Sequence, residues 1–189
     1  MRSVADFYQD CISAVGQQPP LDVQLPDAVG CVLAEDVEAP FNLPVADLAA
    51  CDGYAVAAAD LEGARPDAPV VLPVTEEIRA GDIHPAALIR GRAIRIASGA
   101  PMPQGADAVL ALEFSDHGIS KVSAKTQPAV GENIRRKAED VEEGTVVLRA
   151  GTRVGARQVA LLAGVGRSRV LVHPRPRVVI LSIGDEIVE

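Results

Sequence analysis

The sequence predicts a mainly β chain with a few helices, and three observations carry that expectation. Short runs rich in Val, Ile and Leu recur through the middle of the chain, separated by turn residues. Gly and Pro, 16 and 14 of 189 residues, are dispersed rather than clustered, which favours many short elements joined by turns. Only residues 3–15 and 156–163 suit a helix longer than one turn.

In chain order, Ser3 can cap a helix over 3–15, where Val4, Phe7, Tyr8, Cys11, Ile12 and Val15 recur with helical period. Gly16-Gln17-Gln18-Pro19-Pro20 stops it. A helical turn is expected at 26–30 and a strand at 31–37, closed by Ala39-Pro40. Segments 70–74, 92–97, 107–113 and 119–123 read as a small, mostly antiparallel β domain. A strand over 145–148, a helix over 156–163 and a strand over 168–172 follow. After His173-Pro174-Arg175-Pro176, the continuous apolar run 178–182 has the character of a strand in a parallel sheet covered on both faces. One such strand makes no domain, so the chain is expected to stop at the first strand of a further α/β domain.

Composition excludes several roles. A net charge of −8 argues against nucleic acid, whose phosphates need a basic surface, and against an anionic membrane. An anionic small substrate would need a local cationic cluster or a bridging divalent cation. Cys11, Cys31 and Cys51 lack metal or disulfide spacing and read as reduced, buried thiols of a cytoplasmic protein. No apolar run reaches the roughly 20 residues needed to span a bilayer, and the N-terminus has no signal-peptide core.

Four loops carry candidate chemistry. In Ala50 to Val56, Asp52-Gly53 reads either as a tight turn or as a presented carboxylate. In Ile96 to Pro103, Ser98 offers a hydroxyl, and N–H groups near Gly99 would suit an oxyanion if they stand free. In Gly131 to Asp140, Arg135, Arg136 and Lys137 precede Glu139 and Asp140. That loop is a self-paired surface segment, or a hinge in which Arg135 or Arg136 grips Asp140 or an anion. In Ser182 to Glu186, Asp185 and Glu186 stand at the C-terminal end of a parallel strand, where α/β domains place ligands and where carboxylates can hold Mg²⁺.

Together and in this order, Asp52-Gly53-Tyr54-Ala55-Val56, Ser98-Gly99-Ala100-Pro101 with Gly105-Ala106-Asp107-Ala108-Val109, Asn133-Ile134-Arg135 to Glu139-Asp140, and Gly184-Asp185-Glu186 resemble the signature loops of the MoeA proteins. The gephyrin E domain belongs to the same family. The resemblance implies molybdenum cofactor biosynthesis: an enzyme that inserts molybdate into adenylylated molybdopterin with Mg²⁺ and releases AMP. It places Asp52, Ser98 and Glu186 at positions needed for the reaction, and Asp185 beside Glu186 as a metal ligand. It makes Gly99, Arg135, Arg136 and Asp140 the substrate- or anion-contacting set. It implies a homodimer, with other cofactor-assembly proteins as further candidate partners. It also divides the chain into an elongated lobe from residues 1–44 and 139–173, an inserted β lobe from 45–138, and the start of a pterin-binding α/β domain at 174–189. On that division the chain alone is expected to be inactive. Three positions depart from the family's usual residues: Ser98 and Ile183 stand where Thr is usual, and Ala138 where Gly is usual. Ile183 removes a hydroxyl beside the site, so a non-catalytic dimerising scaffold or paralogue is the alternative. A plain anion-binding module is another.

Overall fold

The computed structural model describes residues 2–83, 87–181 and 184. Ser3 opens the first helix as its place in the sequence predicts: its hydroxyl accepts from the Asp6 N–H, and the Asp6 carboxylate accepts from the Ser3 N–H. This reciprocal cap starts α1 (Val4–Ser13). The chain continues through β1 (Leu21–Gln24), β2 (Val32–Leu33), β3 (Val37–Glu38), β4 (Leu48–Ala49), β5 (Gly53–Val56), β6 (Val70–Ile78), β7 (Ala93–Ile96) and β8 (Ala108–Ala111). It ends its regular structure with β9 (Lys121–Ala124), β10 (Ile134–Arg135), β11 (Val146–Leu148), α2 (Ala156–Gly164) and β12 (Arg169–His173). The class is mainly β with two short helices. Contacts divide the described residues into two units, Met1–Pro40 with Gly144–Glu189, and Phe41–Glu143.

In the first unit β12 lies between β1 and β2, antiparallel to both, so Val172 faces Leu21 on one side and Leu33 on the other. β11 pairs with β3 through an irregular register. Leu33, Val154, Val172 and Leu162 of α2 form the centre of the core. Leu33 and Leu162 are each at most 1% exposed, and burying one contributes roughly 1.5–3 kcal/mol. His173 anchors the segment after α1: Nδ1 lies 2.8 Å from the Gln18 carbonyl and Nε2 lies 2.8 Å from the Gln17 amide nitrogen. A carbonyl only accepts, so Nδ1 carries the proton. α1 itself buries no residue, and Val4, Phe7, Tyr8 and Ile12 stand exposed on it.

The second unit is built on a five-stranded sheet, ordered β8-β5-β7-β6-β9. Its strand pairs are antiparallel except β6 with β7. β5 is buried on both faces: Tyr54 and Val56 pack with Leu61, Leu72, Leu110 and Val122, while Ala55 packs with Ile78, Ile94, Ile96 and Val109. The outer edge of β8 is covered rather than exposed. Gly131 N–H donates to Asp107 O, Val109 N–H donates to Glu132 O, and the Asn133 side-chain amide donates to Val109 O. Covering an edge in this way prevents strand addition by another chain.

The structure corrects four expectations. Asp52-Gly53 is not a hairpin turn; Gly53 begins β5, which lies between β8 and β7, pressed so closely on β8 that a Cβ there would lie 2.2 Å from the Leu110 carbonyl oxygen. The run 31–37 is not one strand but two, because β2 pairs with β12 whereas β3 pairs with β11. Val178 to Leu181 form no strand: no described segment pairs with them, and all four side chains are at least 76% exposed. An apolar run of this type becomes a strand only with neighbours to bond and layers to cover it. Cys31 alone of the three cysteines is buried; Cys51 is half-buried and Cys11 exposed, since α1 buries nothing.

Candidate functional site

Asp52 and Ser98 meet in space, brought together by the register of β5 and β7. Gly53 opposes Ile96, so the residue before one strand lies beside the residues after the other. The Ser98 N–H donates to Asp52 Oδ1 at 2.7 Å, and the Ser98 hydroxyl donates to the Ala50 carbonyl at 3.3 Å. Ala49 completes the lock: its N–H donates to Ala100 O, and its carbonyl accepts from Gly99 N–H at 2.8 Å. Gly99 adopts φ +77°, the left-handed region glycine enters without strain. Asp52, Ser98 and Gly99 are all exposed. The N–H groups at Ser98 and Gly99 are therefore not free for an oxyanion: one is held by Asp52 and the other by Ala49. What the loop presents is the Ser98 hydroxyl beside a fixed carboxylate.

Asp52 opens onto a cavity of about 90 Å³ that Gly53, Glu77, Arg95, Ala97 and Leu112 also line. Glu77 and Arg95 are cross-strand partners on β6 and β7, and both reach a second cavity of about 160 Å³. Nothing in the loop motifs marks these two residues. The available signal was Arg95 itself, a cation in the apolar strand Ala93-Ile94-Arg95-Ile96. Beside the site, burial pushes the Cys51 thiol up, and the carboxylates of Glu113, Asp52 and Glu132 add to this. A thiol so placed stays protonated and is no nucleophile.

The Arg135–Asp140 loop resolves into two pairs. Arg135 grips Asp140, and Arg136 Nη1 donates to Asp47 Oδ2 at 2.7 Å. The Lys137 N–H, at 2.8 Å, is the largest influence holding the Asp47 carboxyl below its ordinary range, with Arg136 assisting. These pairs are exposed, so each contributes only about 0–1 kcal/mol. An anion reaching either guanidinium meets a carboxylate already paired with it, which offsets its charge. Ala138 sits at φ +64°, which accounts for the Gly usual at this position in the resembled family. Asp185, Glu186 and Ile183 lie outside the described residues, and so does Ser182. Among the described residues no group of three or more His, Cys, Asp or Glu side chains could hold a metal ion, and no helix is long and apolar enough to cross a membrane.

A family model of the MoeA N-terminal region (domain I and II) matches residues 2–166. Molybdopterin molybdenumtransferase 2 of Mycobacterium tuberculosis is 42% identical over 187 residues, covering 99% of this chain and 46% of that protein. Molybdopterin molybdenumtransferase of Bacillus subtilis is 38% identical over 169 residues, covering 87% of this chain and 39% of that protein. Among solved structures, the molybdopterin biosynthesis moea protein from Pyrococcus horikosii superposes with a TM-score of 0.76 at 30% identity, over 93% of this chain and 45% of that one. The chain spans a little under half the length of these relatives.

Proposed function

Because the chain belongs to the MoeA family through its N-terminal region, we propose that it supplies the N-terminal half of a cytoplasmic molybdopterin molybdenumtransferase. The whole protein inserts molybdate into adenylylated molybdopterin and releases AMP. The observation that carries this reading is the 2.7 Å hydrogen bond from the Ser98 N–H to Asp52, which fixes two loops 46 residues apart into one presented carboxylate and hydroxyl. Asp52 is oriented through one oxygen, and the Ser98 hydroxyl stands beside it to contact an oxygen of the substrate.

Magnesium fits the donors of this region. Asp52 and Glu77 line one cavity with no thiol or imidazole among its lining groups, and Mg²⁺ takes one or two carboxylates together with phosphate oxygens. Asp185 and Glu186 are the further carboxylates that would hold it. When bound it would neutralise charge on the phosphate and on molybdate. Arg135 and Asp140 fix the loop beside Asp47, so their contribution is to position rather than to grip substrate.

The working unit is a homodimer in which Asp52 of one protomer serves the Glu186 of its partner. The uncovered apolar face of α1, with Phe7 59% and Ile12 54% exposed, supplies contact area. The interface as a whole should bury at least about 1,000 Å². The test mixes an Asp52→Ala chain with a Glu186→Ala chain of the whole protein under subunit exchange. Each parent should lose about 10² to 10⁴ in rate. The mixture should recover activity, since one of the heterodimer's two sites is then intact. No recovery from demonstrated heterodimers would sink the shared site; full activity of Asp52→Ala alone would sink the catalytic reading.

A further inference from the structure

Arg95 is the half-buried arginine whose guanidinium makes no ion pair or hydrogen bond among the described residues. Its counterparts are occupied: Arg90 on Asp60, Arg135 on Asp140, Arg136 on Asp47 and Arg169 on Asp22. Other arginines without a partner, such as Arg92 and Arg157, are exposed and spend their donors on solvent. A partly desolvated guanidinium with five donors is costly unless something accepts from them. Glu77 stands opposite on β6 yet pairs with Arg79, at 3.6 Å, and not with Arg95. Arg95 lines the same cavity as Asp52.

The charges around that cavity specify its occupant. One guanidinium faces two carboxylates, Asp52 and Glu77. A bare dianion would be repelled by the pair of carboxylates, and a bare cation would leave the Arg95 guanidinium without an acceptor. A tetrahedral oxyanion that arrives with a divalent cation satisfies all three, its oxygens on the guanidinium and its cation toward the carboxylates. We propose that the cavity between Asp52, Glu77 and Arg95 is a subsite for an oxyanion–magnesium pair, with Arg95 holding the oxyanion and Glu77 sharing the cation with Asp52. This deepens the reading above and rests on it only for the choice of oxyanion, which is molybdate or the phosphate of the adenylate.

The test is calorimetric titration of the whole protein with molybdate, and separately with AMP, each with and without Mg²⁺. The chains compared are the parent, Arg95→Gln, Arg95→Lys and Glu77→Gln, each first checked for an unchanged melting temperature. The parent should bind one of the two ligands more tightly with Mg²⁺ present, and which one identifies the source of the oxyanion. Arg95→Gln should weaken that binding at least about tenfold, the loss of a charge-assisted contact. Arg95→Lys should restore part of it, and Glu77→Gln should reduce the gain from Mg²⁺. Equal affinity in the parent and Arg95→Gln would overturn the proposal, as would binding indifferent to Mg²⁺ or no binding of either ligand. Should Arg95→Gln not fold, equal affinity in Arg95→Lys and Glu77→Gln would overturn it as well. Molybdenum insertion by the parent with affinity unaffected by Arg95→Gln would sink this subsite alone. Magnesium-dependent binding that needs Arg95, in a parent that inserts no molybdenum, would sink the enzymatic reading alone.

Discussion

Replacing Gly53 by alanine tests the packing that brings the candidate site together. The added Cβ would lie 2.2 Å from the Leu110 carbonyl oxygen and 3.0 Å from Val109 Cγ1. The first neighbour is backbone in a paired strand and cannot rotate away. An ordinary contact requires about 1 Å more, so β5 and β8 must separate where Gly53 faces Ala111. Overpacking of a well-filled core costs about 1–3 kcal/mol. Loosening one or two ladder hydrogen bonds adds about 0.5–1.5 kcal/mol each. The sum, about 1.5–6 kcal/mol, is a sizeable share of the 5–15 kcal/mol typical of a domain. In a chain of this size, at about 2–4 °C per kcal/mol, it should lower the melting temperature by roughly 3–24 °C. Differential scanning calorimetry of the chain, with urea unfolding beside it, measures this directly. A melting temperature within about 2 °C of the parent would refute the reasoning, and would return Asp52-Gly53 to the status of an adaptable turn.

Two further substitutions probe charge and backbone strain. Asp60 accepts from Arg90 Nε and Nη2 and from the Gly91 N–H, and the Arg90 contact foremost holds its carboxyl below the ordinary range. A depressed carboxylate adds stability above its unfolded pKa of about 4 and loses it as pH falls through the folded value. Asp60→Asn should therefore cost about 1–2 kcal/mol at pH 7, and urea midpoints of the two chains should converge as the solution is acidified below about pH 4; parallel curves would contradict this. Ala138 holds φ +64°, a conformation that costs a non-glycine residue roughly 1–2 kcal/mol. Ala138→Gly should gain about 0.5–1 kcal/mol net of the freer unfolded chain, read as a rise in urea midpoint, and a fall would show that the loop tolerates alanine unstrained.

The helices and the sheet of the second unit were legible because their signals are local. Ser3 with Asp6 spells a cap, and the Val- and Ile-rich segments between turn residues became β6 to β9. β4 and β10 were not legible: two residues each, they exist through pairing with one another across more than 80 positions. β5 was hidden for another reason. Its first residue is a glycine chosen by close approach of a neighbouring strand, and Asp-Gly reads locally as a turn. Asp52 and Ser98 were found by the resemblance of their loops, whereas Glu77 and Arg95 join them only through cross-strand register. The apolar run at 178–181 shows the opposite failure, a strong local pattern without the neighbours that would make it a strand.

The chain enters and leaves the second unit side by side, with Leu43 bridged to Val141, while Ala39 and Thr145 are hydrogen-bonded in the first unit. This changes the entropy of assembling the first unit. Joining Val37 of β3 to Leu148 of β11 in an unfolded chain closes a loop of roughly 110 residues. Once the second unit has folded, with Leu43 held to Val141, that loop behaves as one of about 15, and the closure cost falls by about 2 kcal/mol. The second unit has its own long closure, that of β4 with β10, but within one continuous stretch of chain that does not depend on the first unit. The inserted unit is thereby a splint: its own folding holds together the two halves of a core that the sequence splits.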